Sequence, residues 1–192
     1  MNHVYVTAVL VLGLVLSNVV HAHIGVDAHG SFRSGLLHPF SGLDHLLAMI
    51  AVGLWAVQVA GRMLLAIPVV FACAMALGAI IGIFGGTLPF AESGVAFSVL
   101  VLGLLVSFAV RAPWQIACPL IALLALFHGY AHGIGIPEFS EPAGYLTGVL
   151  MATASLHAFG IAMAAALLHR GRVLCACGAA ISFVGVFLIL AA

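Results

Sequence analysis

The sequence predicts an all-α integral membrane protein, a bundle of six transmembrane helices behind a cleaved N-terminal signal peptide. Three observations carry that expectation. Of 192 residues, 65% are hydrophobic and 5% charged, with a mean hydropathy of +1.34, more apolar surface than one water-soluble core can hide. From Leu36 on, apolar runs of about 20 residues, the length that crosses about 30 Å of hydrocarbon, alternate with short breaks. The breaks hold Gly, Pro and nearly all the charge, as in Gly61-Arg62, Gly85-Gly86-Thr87-Leu88-Pro89, Arg111-Ala112-Pro113, Gly135-Ile136-Pro137-Glu138 and His169-Arg170-Gly171-Arg172, residues that end helices or sit at the membrane surface.

In chain order, residues 1–22 read as the signal peptide: an apolar run from Val4 to Val20, then small residues where a signal peptidase would cut before His23. Its n-region has no Lys or Arg, only the terminal amine and His3. Residues 23–192 form one domain with spans at about 37–59, 63–85, 92–110, 114–134, 142–168 and 173–191. Continuous apolar runs suit helices, because a barrel strand alternates and a bilayer leaves no backbone unsatisfied. The second span carries Gly78, Gly82 and Gly86 at four-residue spacing, a small-residue face for close packing within the subunit or against a second copy.

The charges orient the bundle. With residue 23 outside, Arg62, Arg111, Arg170 and Arg172, four of the five arginines, fall in cytoplasmic connections, while Glu92, Glu138 and Glu141 fall outside. Both ends of the mature chain are then periplasmic, in a multi-pass protein of the bacterial inner membrane. Neutral net charge and the absence of basic runs leave nothing to neutralise nucleic-acid phosphates. Cys73, Cys118, Cys175 and Cys177 sit in apolar stretches, where free thiols pack as small hydrophobes; Met49, Met75, Met151 and Met163 read as core side chains.

The chemistry gathers at His38-Pro-Phe-Ser-Gly-Leu-Asp44-His45, where Asp44 is the only acidic side chain inside a span rather than at its very end, where Glu92 stands. An intramembrane carboxylate costs about 2.5–3.5 kcal/mol on insertion scales and marks a functional site by default. On one continuous helix, with Pro39 in its first turn, seven residues return His45 to the face of His38, and Asp44 and His45 lie about 9–11 Å deeper at 1.5 Å per residue. The fourth span ends with His128 and His132 at i, i+4 spacing on one face. Both helices thus present imidazoles to the outer half of the bundle.

Imidazole with carboxylate suits nickel, cobalt, zinc, copper or iron(II), whereas magnesium and calcium prefer oxygen alone. Neutral histidines with one carboxylate leave a bound dication at net +1, which favours modest retention, as transport requires. His157, mid-span, is a candidate next station inward and equally a hydrogen-bonded helix contact. His23 and His29 near the mature amino terminus would gather ions outside, or belong to a solvated tail. Two other readings stay open: a haem-binding membrane electron carrier with paired axial histidines, which has no need of Asp44 beside His45, and a metal-binding accessory protein that does not transport. An enzyme is not expected, since neither His-Glu-x-x-His nor a phosphate-binding Gly-x4-Gly-Lys-Ser/Thr loop is present.

His38-Pro-Phe-Ser-Gly-Leu-Asp44-His45-Leu-Leu-Ala-Met49, followed by Val52-Gly53-Leu54-Trp55-Ala56, and Phe127-His128-Gly129-Tyr130-Ala131-His132-Gly133 resemble the two signatures of the HupE/UreJ family of hydrogenase and urease accessory membrane proteins. The resemblance covers essentially the whole chain. It implies a secondary permease for nickel, and in some members cobalt, with no permanently bound cofactor, supplying hydrogenase or urease maturation proteins. It assigns the metal pathway to His38, Asp44, His45, His128 and His132. The family usually has a glutamate two residues after the second signature's final glycine; here that position is Gly135, and Glu138 follows three residues later, a departure that bears on metal identity and affinity.

Overall fold

A computed structural model describes residues 31–138 and 140–191; the expected signal peptide, His23 and His29 lie outside them. The described residues form seven helices and no strand: α1 Ser31–Ser41, α2 Leu43–Val59, α3 Met63–Ile83, α4 Ala91–Ser107, α5 Trp114–Ile134, α6 Pro142–Ala166 and α7 Gly171–Ala191. Among them α3, α5, α6 and α7 are long and apolar enough to cross a membrane, and α1 with α2 make a fifth if the pair is one span. At 17 residues, α4 is about 25 Å long, short for the full hydrocarbon thickness.

The expected continuous first helix is instead broken, with α1 and α2 meeting at 82°. The break sits on Gly42, whose backbone is extended (φ −105°, ψ 122°). Pro39 has no N–H to donate, and the Ser41 hydroxyl donates to the His38 carbonyl at 2.7 Å, satisfying a group at the end of α1. The Gly42 carbonyl then accepts from Leu46 N–H at 3.0 Å and starts α2.

Helix α2 is the hub, packing against α1, α3, α4, α6 and α7. From Ala48 to Ala56 every residue except Ile50 is buried, the pattern of a helix enclosed on all sides. At its far end Trp55 Nε1–H donates to Val110 O at 2.8 Å and Gln58 Nε2–H to Val106 O at 2.9 Å, tying α2 to carbonyls at and just beyond the end of α4.

Small residues set the spacing of the other pairs. Helices α3 and α5 make the most extensive contact: a Cβ at Gly129 or Gly133 would run into the backbone of Met75 or Ala79, and one at Gly78 or Gly82 into the backbone of α5. The small-residue face of α3 is therefore used inside the chain. Large apolar side chains such as Leu65, Val69, Leu123, Phe159, Phe183 and Phe187 point outward and are exposed, as the lipid-facing surface of a bundle requires.

Candidate metal centre

The break that divides the first span also builds the site. Because Gly42 has no side chain, the Asp44 carboxylate can fold back over it; a Cβ there would lie 2.6 Å from Asp44 Oδ1 and 3.2 Å from His45 Nδ1. Asp44 stands in the first turn of α2, where the helix dipole favours an anion. Its Oδ1 accepts from the backbone N–H of His45 at 2.7 Å and from Nδ1 of the same residue at 2.8 Å. A carboxylate only accepts, so Nδ1 carries a proton, and in the neutral ring Nε2 is the nitrogen that keeps its lone pair.

On one helix His38 and His45 would lie about 10 Å apart along the axis. The fold at Gly42 brings their ring centroids to 5.9 Å. Helix α1 is held in that pose by α6: Glu141 N–H donates to Ser31 Oγ at 2.8 Å, and Gly35 and Gly148 let the two backbones touch. Glu141 itself caps α6, accepting from Ala143 N–H and Gly144 N–H at 3.1 and 2.6 Å, ahead of Pro142 in the first turn.

From the opposite side α5 supplies His128 and His132, both fully buried. Their neighbours Gly129 and Gly133 are the glycines on which α3 rests, so the second signature combines two ligand-type residues with the contact that seats them. The Ser98 hydroxyl on α4 donates its one proton to Val95 O at 2.7 Å. It must then accept from His128 Nε2, 2.6 Å away, which leaves Nδ1 of His128 as the bare nitrogen.

The structure brings His38, His45 and His132 together, with one ring nitrogen of each within 4.8 Å of the others. Ring centroids lie 4.5 Å apart for His45 and His132, 5.0 Å for His38 and His132, and 4.9 Å for His45 and His128. His45 Nε2, His128 Nδ1 and both ring nitrogens of His132 are buried with no hydrogen-bond partner among the described residues. A buried polar atom left unpaired costs about 1–3 kcal/mol. A metal ion bound at about 2.0–2.1 Å by tetrahedral ligands holds donor atoms about 3.4 Å apart, so a small inward movement of three imidazoles would close a shell around one.

Asp44 does not join that triad by geometry; it stands behind His45, the carboxylate–histidine arrangement that fixes tautomer and ring orientation at metal sites. Glu138 is exposed in the turn after α5 and makes no part of the histidine group. His157 is buried on α6, away from the triad, its ring 5.2 Å from that of Phe71, which in turn lies 5.8 Å from His128. Two residues at the site escaped the sequence reading: Ser98, and Tyr145, whose ring is 5.8 Å from His38 and whose buried hydroxyl has no partner among the described residues. A neutral hydroxyl in an apolar run is common, so neither stood out.

The family whose sequence model is described as HupE / UreJ protein matches residues 9–188. Protein HupE of Rhizobium leguminosarum bv. viciae is 46% identical over 151 residues, covering 79% of this chain and 78% of that protein. No solved structure matches. Nearly the whole length of the chain is matched, and the histidines of both signatures converge on one point, so the chain belongs to the HupE/UreJ family.

Proposed function

We propose that this protein is a secondary permease that imports a divalent transition metal ion, nickel first and cobalt second, from periplasm to cytoplasm for hydrogenase or urease maturation. It would do so as six spans in the inner membrane, counting α1 with α2 as one and α4 as another, behind a cleaved signal peptide and with both mature ends outside. The observation that carries this reading is the convergence of imidazole nitrogens from His38, His45 and His132 beside a broken helix, with His45 Nε2 and both ring nitrogens of His132 lacking a hydrogen-bond partner among the described residues. Discontinuous helices are where secondary transporters commonly place ion sites, because irregular backbone in a membrane is tolerated where it lines one.

His38 and His132 would replace water on the ion as it leaves the outer face. His45, aimed by Asp44, completes the shell, and the carboxylate offsets part of the dication's charge across one imidazole rather than by direct contact. That leaves the ion held well enough to lose its hydration and loosely enough to move on. His128, held by Ser98, adjoins the group through its contact with His45. An inside-negative potential favours inward cations by about 2.3 kcal/mol per charge per 100 mV. Centroids 4.5–5.0 Å apart among neighbouring rings suit a single ion and leave no slot for a porphyrin, which favours the metal reading over a haem carrier.

Purified protein in proteoliposomes tests the proposal. Radioactive nickel should accumulate inside and accumulate faster with an inside-negative potential, whereas vesicles containing His45→Ala should match empty ones. Nickel bound by the protein with no flux under any potential would make it an accessory binder and end the permease reading.

A further inference from the structure

One helical turn beyond the histidine cluster lies a group of side chains that the permease reading leaves unused. Thr153 on α6 is fully buried. Helical threonines and serines commonly return their hydroxyl proton to the carbonyl four residues back, and on the same helix Thr147 and Ser155 do so, to Ala143 O and Met151 O at 2.7 and 2.8 Å. Thr153 does not. Its hydroxyl faces two thioethers instead, 3.3 Å from Met49 Sδ and 3.7 Å from Met75 Sδ. Both methionines are buried to within 1% of complete enclosure, and they come from different helices, α2 and α3.

His157 follows Thr153 by one turn on α6, and Phe71 precedes Met75 by one turn on α3. The His157 and Phe71 rings meet edge to face with centroids 5.2 Å apart. His157 is 3% exposed, and its Nε2 has no hydrogen-bond partner among the described residues. Met49 in turn follows His45 by one turn on α2. Two sulfurs drawn to one hydroxyl, with an unpartnered imidazole on the next turn, make a donor set distinct from the cluster above: soft, neutral and free of carboxylate.

We propose that Met49, Met75 and His157, with Thr153 between them, form a second cation site that takes a soft monovalent d10 ion of the Cu⁺ or Ag⁺ class. Thioether sulfur selects such ions, whereas imidazole alone serves the divalent series. With no anion at hand, the site suits a single positive charge better than two. Its imidazole, His157, lies across Phe71 from His128, and the site's existence does not depend on nickel being the cargo of the upper cluster.

The experiment uses the full chain in detergent with Cys73, Cys118, Cys175 and Cys177 replaced by alanine, so that no thiol competes. Ag⁺ binding is measured by equilibrium dialysis in this protein and in its Met49→Leu/Met75→Leu variant, where the near-equal volume of Leu preserves packing; Ni²⁺ binding is measured on both. We expect the double variant to bind one Ag⁺ fewer, or to bind it at least tenfold more weakly, with Ni²⁺ binding unchanged. X-ray absorption at the silver edge of the unvaried thioether protein should show sulfur together with imidazole scattering. Equal Ag⁺ binding by the two proteins, or a silver shell of nitrogen alone, overturns the site. Absence of Ni²⁺ binding in both proteins would count against the permease reading and leave the silver result to decide this one. Should the double variant fail to fold, the absorption spectrum decides alone.

Discussion

At the scale of single residues, two of the site's histidines, His45 and His128, have their free nitrogen chosen by what holds the other side of the ring, while both ring nitrogens of His132 stand unpartnered among the described residues. Asp44 fixes His45 by its Nδ1, and Ser98 fixes His128 by its Nε2. Partners of this kind typically change metal affinity about 10–100-fold when removed. Asp44→Asn, which keeps the shape and removes the charge, should therefore weaken nickel binding about 10–100-fold by titration calorimetry while the protein stays folded. Ser98→Ala should cost less, about tenfold, since it frees the ring of His128 without touching the triad. The five histidine and aspartate positions of the two signatures were legible because ionisable groups stand out in an apolar run. Ser98, Tyr145, Met49 and Met75 were not, because neutral and thioether side chains are ordinary core residues until a structure shows what they face.

At the scale of elements, the decisive feature is the break at Gly42. Its apolar surroundings and a proline that could occupy a first turn made one long helix the simplest expectation. A spacing of seven residues placed His38 and His45 on one face of that helix, so the expected neighbourhood came out right for a different geometric reason: the chain folds back on itself. The α3–α5 contact is the second structural requirement, and the four-residue glycine spacing did announce it, though not which helix would receive it. A side chain at Gly129 must displace the Met75 backbone, and overpacking of this kind costs about 1–3 kcal/mol. Gly129→Val should accordingly lower the melting temperature and abolish nickel binding together, whereas Gly171→Ala, with nothing within 4 Å of the added carbon, should leave both unchanged. Retained nickel binding in Gly129→Val would mean that this contact does not seat the histidines.

For the whole molecule, a mostly apolar outer surface encloses a buried hub helix, with the polar chemistry at one break in that hub. The all-helical character was legible from composition and run length, and the helices after the first agree with the expected spans to within three residues at each end. The short α4 and the bent first pair were not, because hydropathy reports apolar length and is blind to direction. Arginine placement makes a separate forecast: in spheroplasts an impermeant maleimide should label Thr87→Cys, an exposed position between α3 and α4, and should reach Gly171→Cys only after the membrane is permeabilised. The reverse pattern would invert the direction of import. The central claim is that His38, His45 and His132 hold the ion that crosses, and the most direct measurement is radioactive nickel uptake by cells expressing the wild type or His132→Ala at equal membrane levels. The wild type should accumulate nickel and the variant should give background counts. Equal accumulation by both would contradict it, because the ion would then be crossing without the residue at the centre of the cluster.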